Sequence, residues 1–183
     1  MFETILLFIA LLVATVCTIV SLLIGTSVIA LFFTRVPFVP TPGRNVKMII
    51  DQLDLKPGQI FYDLGCGDGR FLIEAGRRGA KAIGFEVSPW AFSKAKLNIL
   101  INRSKAKIFF KNFFSADVSD ADGIFCFLMD KVMPKVEEKL KKELKPGAKI
   151  VCYGFNLPTW PVVKIIDLKP QDKKSSKIYL YEK

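Results

Sequence analysis

Phe61-Tyr62-Asp63-Leu64-Gly65-Cys66-Gly67-Asp68-Gly69-Arg70 is the stretch that decides the fold. It leaves an apolar run, Ile60–Leu64, that reads as a strand. It opens a short helix over Arg70–Arg77, which Gly79 stops. Outward from there the chain alternates. Residues 82–86 read as a second strand, and Ser88-Pro89 cap a helix running to about Asn102. Residues 106–111 form a third strand. Residues 123–128 form a fourth, rich in Phe and Cys and therefore buried. Val132, Val136, Leu140 and Leu144 stripe the next helix, with Lys and Glu on its outer face, until Lys145-Pro146-Gly147 ends it. Residues 148–153 are a fifth strand. Two more, 162–168 and 177–181, are joined by a polar turn over 170–176 with no helix between them, so they pair antiparallel. This order predicts an α/β fold, a doubly wound sheet of parallel strands ending in a C-terminal antiparallel hairpin.

Upstream of the sheet lies a different kind of chain. Thr4 to Thr34 carries no charge, and Ile5–Phe33 is a 29-residue apolar run. As a helix it would reach ~43 Å, enough to cross a bilayer core of about 30 Å with tilt. No basic segment precedes it and no small-residue cleavage site ends it, which argues against a signal peptide. We read residues 1–35 as one transmembrane helix and 36–45 as a Pro-rich linker. Residues 46–183 form the α/β domain. Thr41-Pro42 reads as an N-cap and first helical position, before an apolar helix face of Val46, Ile49, Ile50 and Leu53. All 27 basic residues and 16 of the 17 acids lie after residue 34, leaving that part at +11. Arg35, Arg44 and Lys47 follow the span and only Glu3 precedes it, which predicts a cytoplasmic domain at a single-pass anchor. The basic surface suits an anionic lipid bilayer. The lysines are scattered and match no nucleic-acid motif, so no nucleic-acid partner is expected.

The glycine turn restricts the ligand. Gly65, Gly67 and Gly69 follow a GxGxG spacing in which Arg70 occupies the third fingerprint position of a dinucleotide turn, and no GK[ST] is present. Asp63 stands just before the first glycine, where a phosphate gains nothing from a carboxylate but a cationic amino group does. S-adenosyl-L-methionine carries such a group. Glu86 ends the next strand, 17 residues after Gly69, where a carboxylate can accept both hydroxyl protons of a ribose. A turn-forming Asp and a strand-end surface acid are the ordinary explanations of these two residues. They do not explain the joint order and spacing.

Asp63-Leu64-Gly65-Cys66-Gly67-Asp68-Gly69 with Glu86 resembles the first motif and the acidic second motif of class I (seven-β-strand) S-adenosylmethionine-dependent methyltransferases. That resemblance implies a Rossmann-like doubly wound sheet. A narrower likeness combines the apolar N-terminal segment, Val39-Pro40-Thr41, Gly84-Phe85-Glu86-Val87-Ser88-Pro89-Trp90, and residues 152–160 ending in Phe-x-x-Pro-x-Trp. It is similar to the small membrane-anchored protein-lysine methyltransferases related to the mitochondrial enzymes for the ATP synthase c-subunit and the adenine nucleotide translocase. The resemblance implies a cofactor site of Asp63, Gly65, Cys66, Gly67, Gly69 and Glu86. Asn112 stands where such enzymes tend to have an Asp near the adenine amino group.

The chain has no histidine, which excludes His-based triads and His-ligated metals, and Cys17, Cys66, Cys126 and Cys152 form no CxxC pair, so no metal is expected. Methyl transfer needs neither, because the sulfonium already activates the methyl. A lysine acceptor must lose its proton, which a desolvated aromatic channel favours. Tyr153, Phe155 and Trp160 are candidates to line it, with core packing as their ordinary role. Asp130 is a candidate to orient the acceptor, with a helix N-cap as its ordinary role. Asp117, Asp120 and Asp122 read as solvated loop acids. The resemblance, with the apolar N-terminal segment, implies a membrane-anchored enzyme that methylates a lysine of a membrane-associated protein. A lipid or small-molecule methyltransferase at the bilayer surface is the alternative enzyme, and a non-catalytic cofactor-binding module the alternative outside that class.

Overall fold

A computed structural model describes residues 1–34, 41–168, 171 and 176–183. The uncharged apolar run forms one helix, α1 (Phe2–Thr34), within which Phe2–Thr26 is long and apolar enough to cross a membrane. The linker residues 36–40 and most of the polar turn at 170–176 lie outside the described residues.

α2 (Gly43–Leu53) buries the expected face of Val46, Ile49, Ile50 and Leu53. Its start corrects the sequence reading. Pro42, not Thr41, is the N-cap, and no side chain caps the helix. Thr41 is buried, and its carbonyl instead accepts a hydrogen bond from the Arg70 guanidinium.

The alternation then follows as read: β1 (Ile60–Leu64), α3 (Arg70–Arg77), β2 (Lys81–Glu86), α4 (Pro89–Ile101), β3 (Lys107–Phe110), β4 (Gly123–Cys126), α5 (Met133–Glu143), β5 (Lys149–Tyr153), β6 (Lys164–Asp167) and β7 (Lys177–Glu182). Ser88 caps α4 by accepting from the Ala91 N–H at 3.3 Å. The seven strands form one sheet in the order β3-β2-β1-β4-β5-β7-β6. β1 to β5 pair parallel, and β7 runs antiparallel between β5 and β6. This is the Rossmann-like doubly wound sheet with its antiparallel tail. The strand order reverses between β1 and β4, so the crevice at the carboxyl end of β1 is where such sheets bind ligands.

Side chains alternate across the strands. Phe61, Phe125 and Val151 face α2 and α3. Tyr62, Leu64, Ile124 and Ile150 face α5, against Met133, Val136 and Leu140. Asp63 shares the parity of Phe61 and so points to the α2–α3 side, into a core.

α5 departs from its reading in two ways. Residues 130–132 form a separate 3₁₀ turn capped by Met129, so Asp130 is not a helix N-cap. Glu137 and Lys139 are buried rather than outward. Ion pairs one turn along the helix, to Glu143 and Lys141, and bonds to other elements hold them there. Lys139 Nζ donates to the Ala116 carbonyl at 2.5 Å and to Glu143, while Glu137 accepts from the Thr159 N–H at 2.9 Å.

Candidate functional site

β1 delivers its last residues to the switch point, and the chain turns there on Gly65, Gly67 and Gly69, all at positive φ (86°, 55° and 77°). Residues with a Cβ rarely hold that backbone. The turn is fastened to β2: the Gly65 and Cys66 N–H groups both donate to the Phe85 carbonyl, at 3.1 and 2.9 Å. A Cβ at Gly69 would lie 3.3 Å from that of Ala95, so the turn also seats close on α4.

Beneath the turn, Asp63 is 1% exposed, and neither carboxylate oxygen has a hydrogen-bond partner. Burial first, then the neighbouring Glu86 and Asp68 carboxylates, push its pKa well above the usual carboxylate range. An orphaned buried carboxyl is costly in a folded chain. A cation that binds at the turn offsets that cost.

Glu86 ends β2 beside it. Its Oε2 accepts from the Gly67 N–H at 2.9 Å, and its Oε1 from the Val87 and Ser88 N–H groups at 2.9 and 2.7 Å. Burial raises its pKa, and the three backbone donors oppose that rise. A carboxylate has about four acceptor positions, so a two-handed grip on a diol must displace at least one amide. The Gly67 N–H is the one that belongs to the turn itself.

The far side of the turn is braced by charge. Arg70 Nε and Nη2 fork onto Asp68 at 2.8 and 2.6 Å, and Asn98 Nδ2 donates to the Asp68 carbonyl at 2.9 Å. Burial alone would raise the Asp68 carboxyl; the guanidinium outweighs it and holds the carboxyl below its ordinary value.

Comparison with known proteins bears directly on this turn. A model of the ANTKMT methyltransferase domain matches residues 63–164, from Asp63 to the first residue of β6. The chain belongs to that methyltransferase family. A protein-lysine N-methyltransferase of Saccharolobus islandicus (strain REY15A) is 34% identical over 82% of this chain and 95% of its own length. The adenine nucleotide translocase lysine N-methyltransferase of Mus musculus is 33% identical over 72% of the chain, which spans 58% of that mouse protein. Among solved structures, an RNA methyltransferase from Salinibacter ruber in complex with S-adenosyl-L-homocysteine superposes with a TM-score of 0.73 at 28% identity, over 79% of this chain and 93% of that one. The protein is thus an S-adenosylmethionine-dependent enzyme of a protein-lysine methyltransferase family. The orphaned Asp63 carboxyl and the positive-φ glycine turn above it fit that cationic cofactor.

The other residues singled out in this methyltransferase fall into two groups. Asn112 follows β3 next to Glu86, whose carbonyl takes the Lys111 N–H at 3.2 Å. It is exposed, and its Oδ1 accepts the Phe114 N–H at 3.0 Å. Cys66 is buried under the turn, and burial pushes its thiol pKa up. Phe155 and Asp130 are exposed beyond the carboxyl ends of β5 and β4, on the cofactor side.

Tyr153 is core: it is buried, with its ring 4.7 Å from that of Phe127. Trp160 lies at the wrong end of the sheet for a channel. Its Nε1 donates to the Glu182 carbonyl at 3.2 Å, and Glu182 pairs with Lys149 at the amino end of β5. Antiparallel β7 carries the tail back to that end. Asp122 and Asp120 are there too, and they are not merely solvated. Asp122 accepts from the Ile60 N–H at 2.7 Å and pairs with Lys145; Asp120 accepts from the Tyr62 hydroxyl at 2.9 Å.

Sequence reasoning missed Phe127, Asp68, Asn98 and the second role of Arg70. Phe127 had a signal, since it follows β4 as Phe155 follows β5. The Arg70–Thr41 link had none, because 29 residues separate the two.

Proposed function

We propose that this enzyme transfers the methyl group of S-adenosyl-L-methionine to a lysine side chain of a membrane-associated protein, with residues 1–35 as a single-pass anchor. Residues 36–45, the last three of which open α2, join the anchor to residues 46–183, the catalytic domain on the cytoplasmic side. The orphaned carboxyl of Asp63 under the glycine turn carries the cofactor part of this reading. The apolar helix α1 supports the membrane part.

The cofactor, when bound, supplies a methyl activated by sulfonium charge. The chain's own residues do the rest. Asp63 and the backbone of Gly65, Cys66, Gly67 and Gly69 would hold the amino-acid end. Glu86 would accept the ribose hydroxyls, with the Gly67 N–H as the amide it would release. Asn112 would offer Oδ1, which keeps a second lone pair, to the adenine amino group. Phe127 and Phe155, backed by Tyr153, make an apolar mouth at the carboxyl ends of β4 and β5, which lowers the pKa of an entering lysine amine. Asp130 stands at the same rim as an orienting acceptor. An anchor in the same bilayer as the substrate raises its effective concentration without a separate recognition domain. A lipid acceptor at the bilayer surface is the reading that the same anchor also permits.

The test is to incubate membranes bearing the full chain with methyl-labelled cofactor and separate protein from lipid. The expected result is label in protein, located on lysine by mass spectrometry and lost in Gly67→Arg. Label in the lipid fraction alone would overturn the lysine assignment.

A further inference from the structure

Residues 87–116 contain no acid and six bases, Lys94, Lys96, Arg103, Lys105, Lys107 and Lys111. They build α4 and the edge strand β3. α4 fully buries only Ala91 and Ala95, whereas Leu97, Leu100 and Ile101 are 55%, 74% and 69% exposed. Phe109 and Phe110 of β3 are exposed beside them. Between the helix and the strand runs a groove of about 700 Å³, whose walls include Leu97, Ile99, Leu100 and Phe109 with Lys96 and Lys107. Contiguous apolar surface of this kind marks an interaction site.

We propose that the α4–β3 face is a second membrane contact, built for an anionic lipid bilayer, that seats the catalytic domain on the surface independently of the α1 anchor. Two observations select lipid. The face offers aliphatic side chains ringed by cations, the composition that inserts at a headgroup boundary. A second copy of the chain seated face to face would set Lys96, Arg103, Lys105 and Lys107 against their own copies. In the structure α1 lies against α4, and Val20 and Leu23 are the half-buried side chains among those described on α1; the composition of the face, not this contact, carries the proposal.

The test uses the full chain on a Cys17→Ser background, since Cys17 is the exposed native thiol. An environment-sensitive fluorophore is placed at Leu100→Cys, or at Glu138→Cys on the opposite side of the sheet as control. Vesicles are pure phosphatidylcholine or contain about one third phosphatidylserine. The expected result is a blue shift at residue 100 with anionic vesicles and none at residue 138. Lys96→Glu with Lys107→Glu, or high salt, should weaken the shift about tenfold in lipid concentration or more. Equal emission at both positions, an equal shift in pure phosphatidylcholine, or a shift that depends on protein density rather than lipid would each overturn the proposal. Carbonate-resistant retention reports α1 separately. Retention without the shift overturns this face and leaves the anchor standing; the shift without retention does the reverse.

Discussion

Asp63 is held in an unfavourable state by the fold alone. The carboxyl is buried without a partner, so it stays protonated above the pH at which a solvated Asp ionises. The sign follows from linkage. A carboxyl with a raised folded pKa costs the folded state stability as pH climbs from about 3.9, its unfolded value. Asp63→Asn removes that cost. We expect the cofactor-free variant to resist urea better than the parent at pH 7, with the gap closing near pH 4. The same change removes a charge-assisted contact to the cofactor's amino group, worth about 10- to 100-fold in affinity. Calorimetry should therefore find a more stable chain that binds the cofactor more weakly. A variant that is less stable at pH 7 would mean that Asp63 has a partner in the fold.

Between residues and the molecule stand the elements, and here the legible and the illegible separate by distance along the chain. The β1–turn–α3 unit was readable because its chemistry is local: apolar alternation, three glycines and a helix start within ten residues. The same held for the Ser88 cap and for the apolar face of α2. Trp160, Glu137 and Lys139 were not readable, because their partners at 182, 159 and 116 are brought near only by the folded sheet. The Cys66–Gly84 contact is of that second kind. An added Cβ at Gly84 in β2 would fall 2.6 Å from Leu72 Cδ1 and 2.8 Å from Cys66 Sγ. Only a bare backbone lets α3 and the turn sit this close to β2. Gly84→Ala should overpack that core and destabilise the chain by about 1–3 kcal/mol, seen as a lower urea midpoint with an unchanged slope. Its cofactor affinity should fall as well, since the displaced Cys66 is part of the turn. A neutral effect on both would show that the contact is soft.

At the scale of the whole molecule, one side chain joins the N-terminal segment to the cofactor turn. Arg70 donates to the Thr41 carbonyl on one side and forks onto buried Asp68 on the other. Arg70 thus couples the N-terminal segment directly to the glycine turn, beside the packing of α2 on α3. Arg70→Gln keeps a short donor but cannot span both partners. Asp68 is then left buried with Lys94 at 3.8 Å as its remaining ion-pair partner. We expect a loss of about 1–3 kcal/mol at pH 7. Asp68 has a lowered folded pKa, so the stability it contributes is present above the ordinary carboxylate value and lost as pH falls through the lowered one. The penalty in Arg70→Gln should accordingly shrink below about pH 4. Hydrogen exchange distinguishes coupling from simple weakening. If Arg70 ties the two regions together, amides of α2 and of the turn should lose protection together, ahead of β4 and β5. Uniform loss across the sheet would mean that Arg70 only adds stability and transmits nothing between the N-terminal segment and the site.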